Sequence, residues 1–396
     1  MQHLQDQISI LSERYFEETV AMRRYFHQHP ELSEQEFNTA KYIKDRLKQY
    51  GIEYQMYLED KAIVALIEGK NTSSKVIALR ADMDALPIEE ENDLDFRSLN
   101  KGIMHACGHD VHIASLLTTA RILYYLKNKW NGSVKLIFQP SEEKFPGGAI
   151  QLIGVGVLEN PKVSAVLGLH VSPEIETGKI GMKSGNYMAS TDEIYITVTG
   201  KGGHAAIPEM VINPLLIASK MLLELDDSYS KSAPKDSPSV LTFGRITGDG
   251  KTNIVPDKVY LEGTLRTFNE TWRTKAHQLI ADTANTIAQK MKGNAQLHIA
   301  KGYPVLTNDE VLTAKTFSIA QEFLGKENVL SLNYRMTAED FAYYSRFVPS
   351  VFYRLGTRIE GYDTGLHSSS FRVNEEALRK SPALMAYLAI KLLEEI

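Results

Sequence analysis

Cys107 and His109 stand two residues apart in the segment MHACGHDVH, with Gly108 between them. A glycine-containing turn can present both side chains to one ion, and a thiolate with an imidazole suits zinc or another late first-row metal. Each residue alone would more often be ordinary packing. Further side chains that could bind a metal occur elsewhere in the chain, namely Glu142, Glu143, His170 and His367. The combination predicts a metal centre.

The consecutive carboxylates Glu142 and Glu143 follow the apolar segment VKLIFQP. On a surface helix such a pair would be an ordinary solvated face. Adjacent side chains that leave a strand or a turn diverge, so one carboxylate can bind a metal while the other reaches a water activated by that metal. This division predicts hydrolysis in which the glutamate that does not bind the metal carries a proton to a leaving nitrogen.

A sheet must position these residues. Helical periodicity alternates with apolar runs that begin near Ile63, Val76, Val134 and Val163, and the alternation resumes after Asp309. This pattern predicts a layered α/β fold. The segments RADMDALP, QPSEE and GLHV come at the ends of apolar runs. Ligands of α/β sheets bind at the carboxyl ends of strands, so we expect these segments to share a site.

Between residues 184 and 303 the pattern changes to β-α-β-β-α-β, the order of a ferredoxin-like domain. The length of 396 residues also favours two domains over one. We therefore predict a metal-binding domain made of residues 1–183 and 304–396, and an inserted domain made of residues 184–303.

Composition bears on the class of protein. The 44 basic and 49 acidic residues form no long block of either sign, which argues against nucleic acid as a partner. No apolar stretch reaches the roughly 18 residues of a membrane span. No secretory leader pattern is visible at the N-terminus, so we expect a cytoplasmic protein. A single cysteine excludes an intrachain disulfide.

Nine segments carry a family likeness in chain order: RADMDALP, MHACGHDVH, QPSEE, GLHV, GKGGHAA, NIVPD, GTLRTF, EDFAYY and GLHSSSF. Together they resemble the M20 metallopeptidase superfamily over nearly the whole chain. The CGHD form is similar to the branch of aminoacylases, hippurate hydrolases and auxin-conjugate amidohydrolases. The resemblance implies an α/β catalytic domain, an inserted lid or dimerisation domain, and two divalent metal ions (Zn, Mn, Ni or Co).

For the site, the resemblance implies five metal ligands: Cys107, His109, Glu143, His170 and His367. It implies Glu142 as general base and Asp84 as the residue that orients the base or a ligand. Asp82 stands where many relatives have a metal-binding histidine, and loop capping is the alternative for it. We interpret His105 and His112 as supporting residues.

In the inserted domain, the resemblance implies that His204 polarises the substrate carbonyl across the interface of a homodimer formed through this domain. Asn253 and Arg266 would hold a substrate carboxylate, because arginine offers bidentate geometry. A surface charge at a strand edge is the alternative for Arg266.

The implied activity is cleavage of the amide bond of small-molecule N-acyl amino acids, which releases a carboxylate and a free amino acid. One alternative keeps the chemistry and changes the substrate, giving a dipeptidase or a carboxypeptidase. The other is a metal-stabilised binding protein without turnover.

Overall fold

The computed structural model describes residues 2–71 and 75–395. The chain divides into two compact units: Met1–Tyr187, Thr307–Asn333 and Asp340–Ile396 form the first, and Met188–Leu306 with Tyr334–Glu339 form the second. The second unit therefore includes six residues from much later in the chain, for which the residue pattern held no signal. The roles of a catalytic domain and of a lid or dimerisation domain stay predictions.

The described residues contain the following α-helices: α1 Gln2–Gln28, α2 Phe37–Tyr50, α3 His109–Tyr125, α4 Gly148–Gly154, α5 Pro214–Ser232, α6 Glu270–Lys290, α7 Glu310–Leu324 and α8 Ala377–Glu395. Within residues 2–71 and 75–395, none of the helices has both the length and the apolar character needed to cross a membrane.

The strands are β1 Tyr54–Tyr57, β2 Ala62–Glu68, β3 Val76–Asp82, β4 Ser133–Gln139, β5 Ala165–Glu176, β6 Ile180–Met182, β7 Gly185–Met188, β8 Ser190–Thr199, β9 Gly203–His204, β10 Ser239–Thr247, β11 Ile254–Val255, β12 Lys258–Thr267, β13 Asn294–Lys301, β14 Leu306–Asn308, β15 Val329–Ser331 and β16 Ser350–Arg358.

Polar residues set the starts of two of these helices. Asn213 accepts a hydrogen bond of 3.0 Å from Leu215 N–H, and Pro214 occupies the first position of α5. Asp309 accepts one of 2.8 Å from Leu312 N–H at the start of α7. Each side chain satisfies a backbone donor that the first helical turn leaves without a partner.

The first unit is built around an eight-stranded sheet in the order β1-β2-β4-β3-β5-β16-β6-β15. The neighbouring strands β4, β3, β5 and β16 run parallel to one another. Strands β3 and β4 are buried at every residue, which explains why their sequences are mostly apolar and do not alternate between apolar and polar residues. Helices α1, α3 and α8 pack together, and α3 and α8 contact β3. The predicted α/β class is confirmed.

The ends of the parallel strands meet at one edge of this sheet. Strand β3 ends at Asp82 and β4 ends at Gln139, and these two residues are direct partners in the ladder. Strand β5 lies on the other side of β3, with Arg80 paired to Gly168 and His170 two residues further on. The polar segments that follow or end these strands are therefore placed side by side.

The second unit contains a four-stranded antiparallel sheet in the order β10-β12-β8-β13. Helices α5 and α6 pack against each other and against this sheet. Its core includes Ile194, Ile196, Met221, Leu261 and Ile280. The chain order β8-α5-β10-β12-α6-β13 with this strand order is the ferredoxin-like arrangement that the sequence predicts.

A buried ion pair joins α6 to β8 in the second unit. Arg273 and Asp192 have side chains that are 1% and 0% exposed, and Arg273 Nη2 lies 2.6 Å from Asp192 Oδ1. A second bond of 2.9 Å joins Arg273 Nε to Asp192 Oδ2. Removing Arg273 would leave the buried Asp192 carboxylate with His277 Nε2 at 2.6 Å and Gly302 N–H at 3.1 Å, which do not replace a guanidinium bonded to both oxygens.

Replacing Arg273 by Met should therefore lower the free energy of unfolding by about 3–5 kcal/mol, measured by urea titration. The matched control is Arg245→Met, because Arg245 pairs with Glu262 on the surface. The control should change the free energy by no more than about 1 kcal/mol. Equal effects of the two variants would contradict the assigned difference.

Candidate metal centre

The turn before α3 brings Cys107 and His109 to the same side. Gly108 between them has a φ of 83°, a conformation that residues other than glycine rarely adopt. A Cβ at this position would also lie 2.5 Å from Val171 Cγ2. The turn therefore requires glycine both for its backbone conformation and for its close approach to β5.

Two groups of candidate ligand atoms share Cys107. Its Sγ lies 3.3 Å from His170 Nε2 and 3.3 Å from His367 Nε2. His109 joins the first group and Glu143 the second, with Glu143 Oε1 3.2 Å from His367 Nε2. Within each group the candidate atoms lie within 4.8 Å of one another. All five residues predicted as ligands are thus brought together.

Hydrogen bonds leave one nitrogen of His109 and one of His170 turned toward this cluster. His109 Nδ1 lies 2.8 Å from Asp84 O, and His170 Nδ1 lies 2.8 Å from Val171 O, so each ring donates to a carbonyl. His109 Nε2 is buried and has no hydrogen-bond partner among the described residues. Burial, and then the charge of Arg354, holds the pKa of His170 well below its usual value, so this ring is neutral. Such a set fits a metal.

Negative charge surrounds the cluster. Burial alone would lower the pKa of His109, but nearby carboxylates, Asp82 foremost, raise it to about 10. Burial, and then the charge of Glu143, raises the pKa of the Cys107 thiol. Nearby carboxylates contribute to both shifts, because they favour additional positive charge at this place. A divalent cation would meet that requirement.

The pair Glu142 and Glu143 leaves a turn that follows β4. Ser141 at the start of the turn has a φ of 58°. The N–H groups of Glu142 and Glu143 donate to Asp84 Oδ1 at 3.0 Å and to Asp84 Oδ2 at 2.8 Å. Glu142 Oε1 also accepts from Asp340 N–H at 3.4 Å. The turn is thus held through its backbone amides, and Asp84 positions both glutamates at once.

Asp82 contacts side chains of β3 and of α3 at the strand ends. It accepts hydrogen bonds from Arg80 and from His112 Nδ1. His112 Nε2 accepts from Val171 N–H at 3.0 Å, so both of its nitrogens are engaged within the protein, which agrees with the predicted supporting role. Burial lowers the pKa of His105 to about 3. Neither of its ring nitrogens has a hydrogen-bond partner among the described residues.

The remaining predicted residues belong to the second unit. His204 is exposed on β9, and its Nδ1 accepts from Ala206 N–H at 3.1 Å, so the neutral ring carries its proton on Nε2. Asn253 O accepts from Ala205 N–H at 3.1 Å, beside His204. Burial lowers the pKa of Arg266 on β12. Because β12 is an inner strand of its sheet, the alternative of a strand-edge charge for Arg266 is wrong.

Two buried charged residues received no role from the sequence, although both lie in the segments that carry the family likeness. Arg80 Nη2 lies 2.7 Å from Asp340 Oδ1 across 260 residues of chain. Asp340 Oδ2 also accepts from Gln139 Nε2 at 2.8 Å and from Ala149 N–H at 3.0 Å. Asp340 therefore joins the ends of β3 and β4 to α4.

Replacing Cys107 by Ser should lower the affinity for divalent metal at least about tenfold, because the thiolate belongs to both ligand groups. Metal content after dialysis, measured by atomic emission, checks this. His298→Gln, which changes an exposed histidine of the second unit, is the control and should keep its metal. Unchanged metal content in the Cys107→Ser variant would mean that the thiol is only packed.

Comparisons with known proteins agree with this geometry. A model of the peptidase family M20/M25/M40 matches residues 78–391. N-acetyl-L-cysteine deacetylase of Bacillus subtilis is 37% identical over 377 residues, 95% of this chain and 88% of the relative. Thermostable carboxypeptidase 2 of Saccharolobus solfataricus is 35% identical over 94% of each chain. The crystal structure of the Bacillus subtilis YXEP protein superposes on this chain with a TM-score of 0.82. That protein is described as a dinuclear metal binding peptidase from the M20 family. The two chains are 33% identical, and the match covers 97% of this chain and 99% of that one. This chain therefore belongs to peptidase family M20/M25/M40.

Proposed function

We propose that this protein is a metal-dependent amidohydrolase that cleaves the amide bond of small N-acyl amino acids. The observation that carries the proposal is the turn after β4, where Glu143 stands in a cluster of thiol and imidazole groups and the adjacent Glu142 lies beside it. A metal ligand next to a second carboxylate is an arrangement that suits metal-assisted hydrolysis of an amide. The deacetylase relative supports the choice of substrate class.

We assign two divalent ions to the ligand set Cys107, His109, Glu143, His170 and His367. Thiolate and imidazole groups favour zinc or a neighbouring late first-row metal, and the YXEP protein supports the number of ions. When bound, such ions polarise a carbonyl group and lower the pKa of a nearby water.

Glu142 is the proposed general base. It takes a proton from the attacking water and delivers it to the leaving nitrogen, so that one amide and one water give a carboxylic acid and an amine. Asp84 serves as a positioning residue, because one carboxylate that accepts two successive N–H groups sets the direction in which Glu142 leaves the chain.

In the second unit we assign polarisation of the substrate carbonyl to His204, and recognition of the substrate carboxylate to Asn253 and Arg266. The exposed imidazole with its proton on Nε2 supports the first role. A homodimer formed through this unit and a cytoplasmic location complete the proposal. Analytical ultracentrifugation over a range of protein concentrations measures the dimer.

A carboxypeptidase is the second candidate, because a relative of that name is 35% identical to this chain. The two candidates share the metal centre and the base, and they differ in whether the group on the acyl side of the scissile bond is a simple acyl group or a peptide.

The test is a panel of N-acetyl and N-benzoyl amino acids beside free dipeptides and N-blocked dipeptides. We expect the purified protein, loaded with Mn²⁺ or Zn²⁺, to release amino acids from the N-acyl compounds. Activity confined to the dipeptides and blocked dipeptides would replace the first candidate by the second. Binding of these compounds without any turnover would contradict both candidates.

Replacing Glu142 by Gln should leave the metal content near normal and lower kcat by about 10²–10⁴-fold, because the amide cannot accept the proton. Steady-state kinetics with metal analysis of the same sample measures both quantities. Glu159→Gln changes an exposed glutamate and serves as the control. Retained turnover in the Glu142→Gln variant would show that the base is misassigned.

A further inference from the structure

A second buried carboxyl group, Glu36, contacts the turn that carries Glu142 and Glu143. Its side chain is fully buried. Glu36 Oε1 accepts hydrogen bonds from Ser141 N–H at 2.7 Å and from Ser141 Oγ at 3.3 Å. Since Asp84 accepts the next two amides, three successive N–H groups of this turn are held by two carboxyl groups.

The contact of Glu36 is not explained by its own helix. Glu36 occupies the position that caps the N-terminus of α2, but its side chain makes no capping bond. Glu31 caps α2 instead, because its two carboxylate oxygens accept hydrogen bonds from Asn38 N–H at 3.1 Å and from Thr39 N–H at 2.8 Å. The carboxyl group of Glu36 is therefore turned away from α2 and toward Ser141.

Ser141 needs an external partner. Its φ of 58° is a left-handed conformation that costs free energy for any residue with a side chain. Such a conformation persists when its surroundings over-determine it. The buried acceptor on Ser141 N–H acts at the residue where the strain lies, immediately before the two glutamates.

The protonation state of Glu36 indicates that the length of its side chain, and not a negative charge, is what the hydrogen bond from Ser141 N–H requires. Burial, and then the neighbouring charge of Asp84, raises the pKa of Glu36 to about 8, so the group is mostly neutral at pH 7. Its Oε2 has no hydrogen-bond partner among the described residues. A neutral carboxyl group beside an ionised one avoids repulsion and can still accept the Ser141 N–H.

We propose that Glu36 is a positioning residue: by accepting Ser141 N–H it sets the left-handed turn from which Glu142 and Glu143 project. The proposal rests on the proposed function, because it concerns the placing of the base and of a metal ligand. The role proposed for Glu36 differs from that of Asp84, which accepts the N–H groups of the two following residues, Glu142 and Glu143. A side chain of the length of glutamate is required, and a negative charge is not.

Two conservative variants separate length from charge. Glu36→Gln keeps the length and removes the ionisable group, and Glu36→Asp keeps the ionisable group and shortens the side chain by one methylene. The matched control is Glu34→Gln, since the Glu34 side chain lies at the surface and pairs with Lys144. For each protein we would measure kcat, KM, and the affinity for Mn²⁺ alone by calorimetry.

The Glu36→Gln variant should stay within about threefold of the wild type in all three quantities. The Glu36→Asp variant should lose about 10–100-fold in kcat, through Glu142, and about tenfold in Mn²⁺ affinity, through Glu143, with KM changed less than about threefold. Normal Mn²⁺ affinity in the Glu36→Asp variant would overturn the proposal, and so would a Glu36→Gln variant that is equally impaired.

One further measurement keeps the test decisive. Hydrogen exchange in the wild type should show a protected Ser141 amide, and fast exchange there would overturn the proposal even if the Glu36→Asp variant did not fold. If the wild type hydrolysed no amide, the proposed function would fail, but the Mn²⁺ affinities would still decide the role of Glu36.

Discussion

Buried negative charge at the ends of parallel strands is the constraint on which this site depends. Asp82, Asp84 and Glu142 are buried where β3 and β4 end, and Glu143 beside them is partly buried. A buried carboxylate is stable only when hydrogen bonds or positive charges compensate it. Arg80 and His112 compensate Asp82, and backbone amides compensate Asp84. The carboxylates together still make the cluster suited to cations, and Asp82 foremost among them raises the pKa of His109 against the effect of burial.

The main chain does much of the positioning. Carbonyl groups fix which nitrogen of His109 and of His170 carries the proton, and backbone amides fix the turn of the glutamate pair. A glycine with positive φ brings Cys107 toward β5. Glu142, Glu143 and His170 lie in or just after strands, and His109 lies at the start of α3, whereas Cys107 and His367 lie outside the helices and strands.

Much of the fold could be predicted because the position of a residue in a buried strand or at the start of a helix restricts which residue types can occupy it. Strands β3 and β4 are buried on both faces and are mostly apolar in sequence, and α5 and α7 begin at capping residues. The short strands β1, β6, β7 and β15 show no recognisable sequence pattern, because three or four residues are too few to show a hydrophobic period. The inclusion of residues 334–339 in the second unit has no local cause either.

The sequence by itself determined the fold class and the chemical types at the site, because residue periodicity and the choice of Cys, His and Glu are local properties. Only the tertiary structure decided which side chains meet. The contact of Arg80 with Asp340 spans 260 residues, and that of Glu36 with Ser141 spans 105. Neither pair has a sequence pattern, since a single hydrogen bond between distant elements depends on how the sheet and helices pack and not on the residues around it.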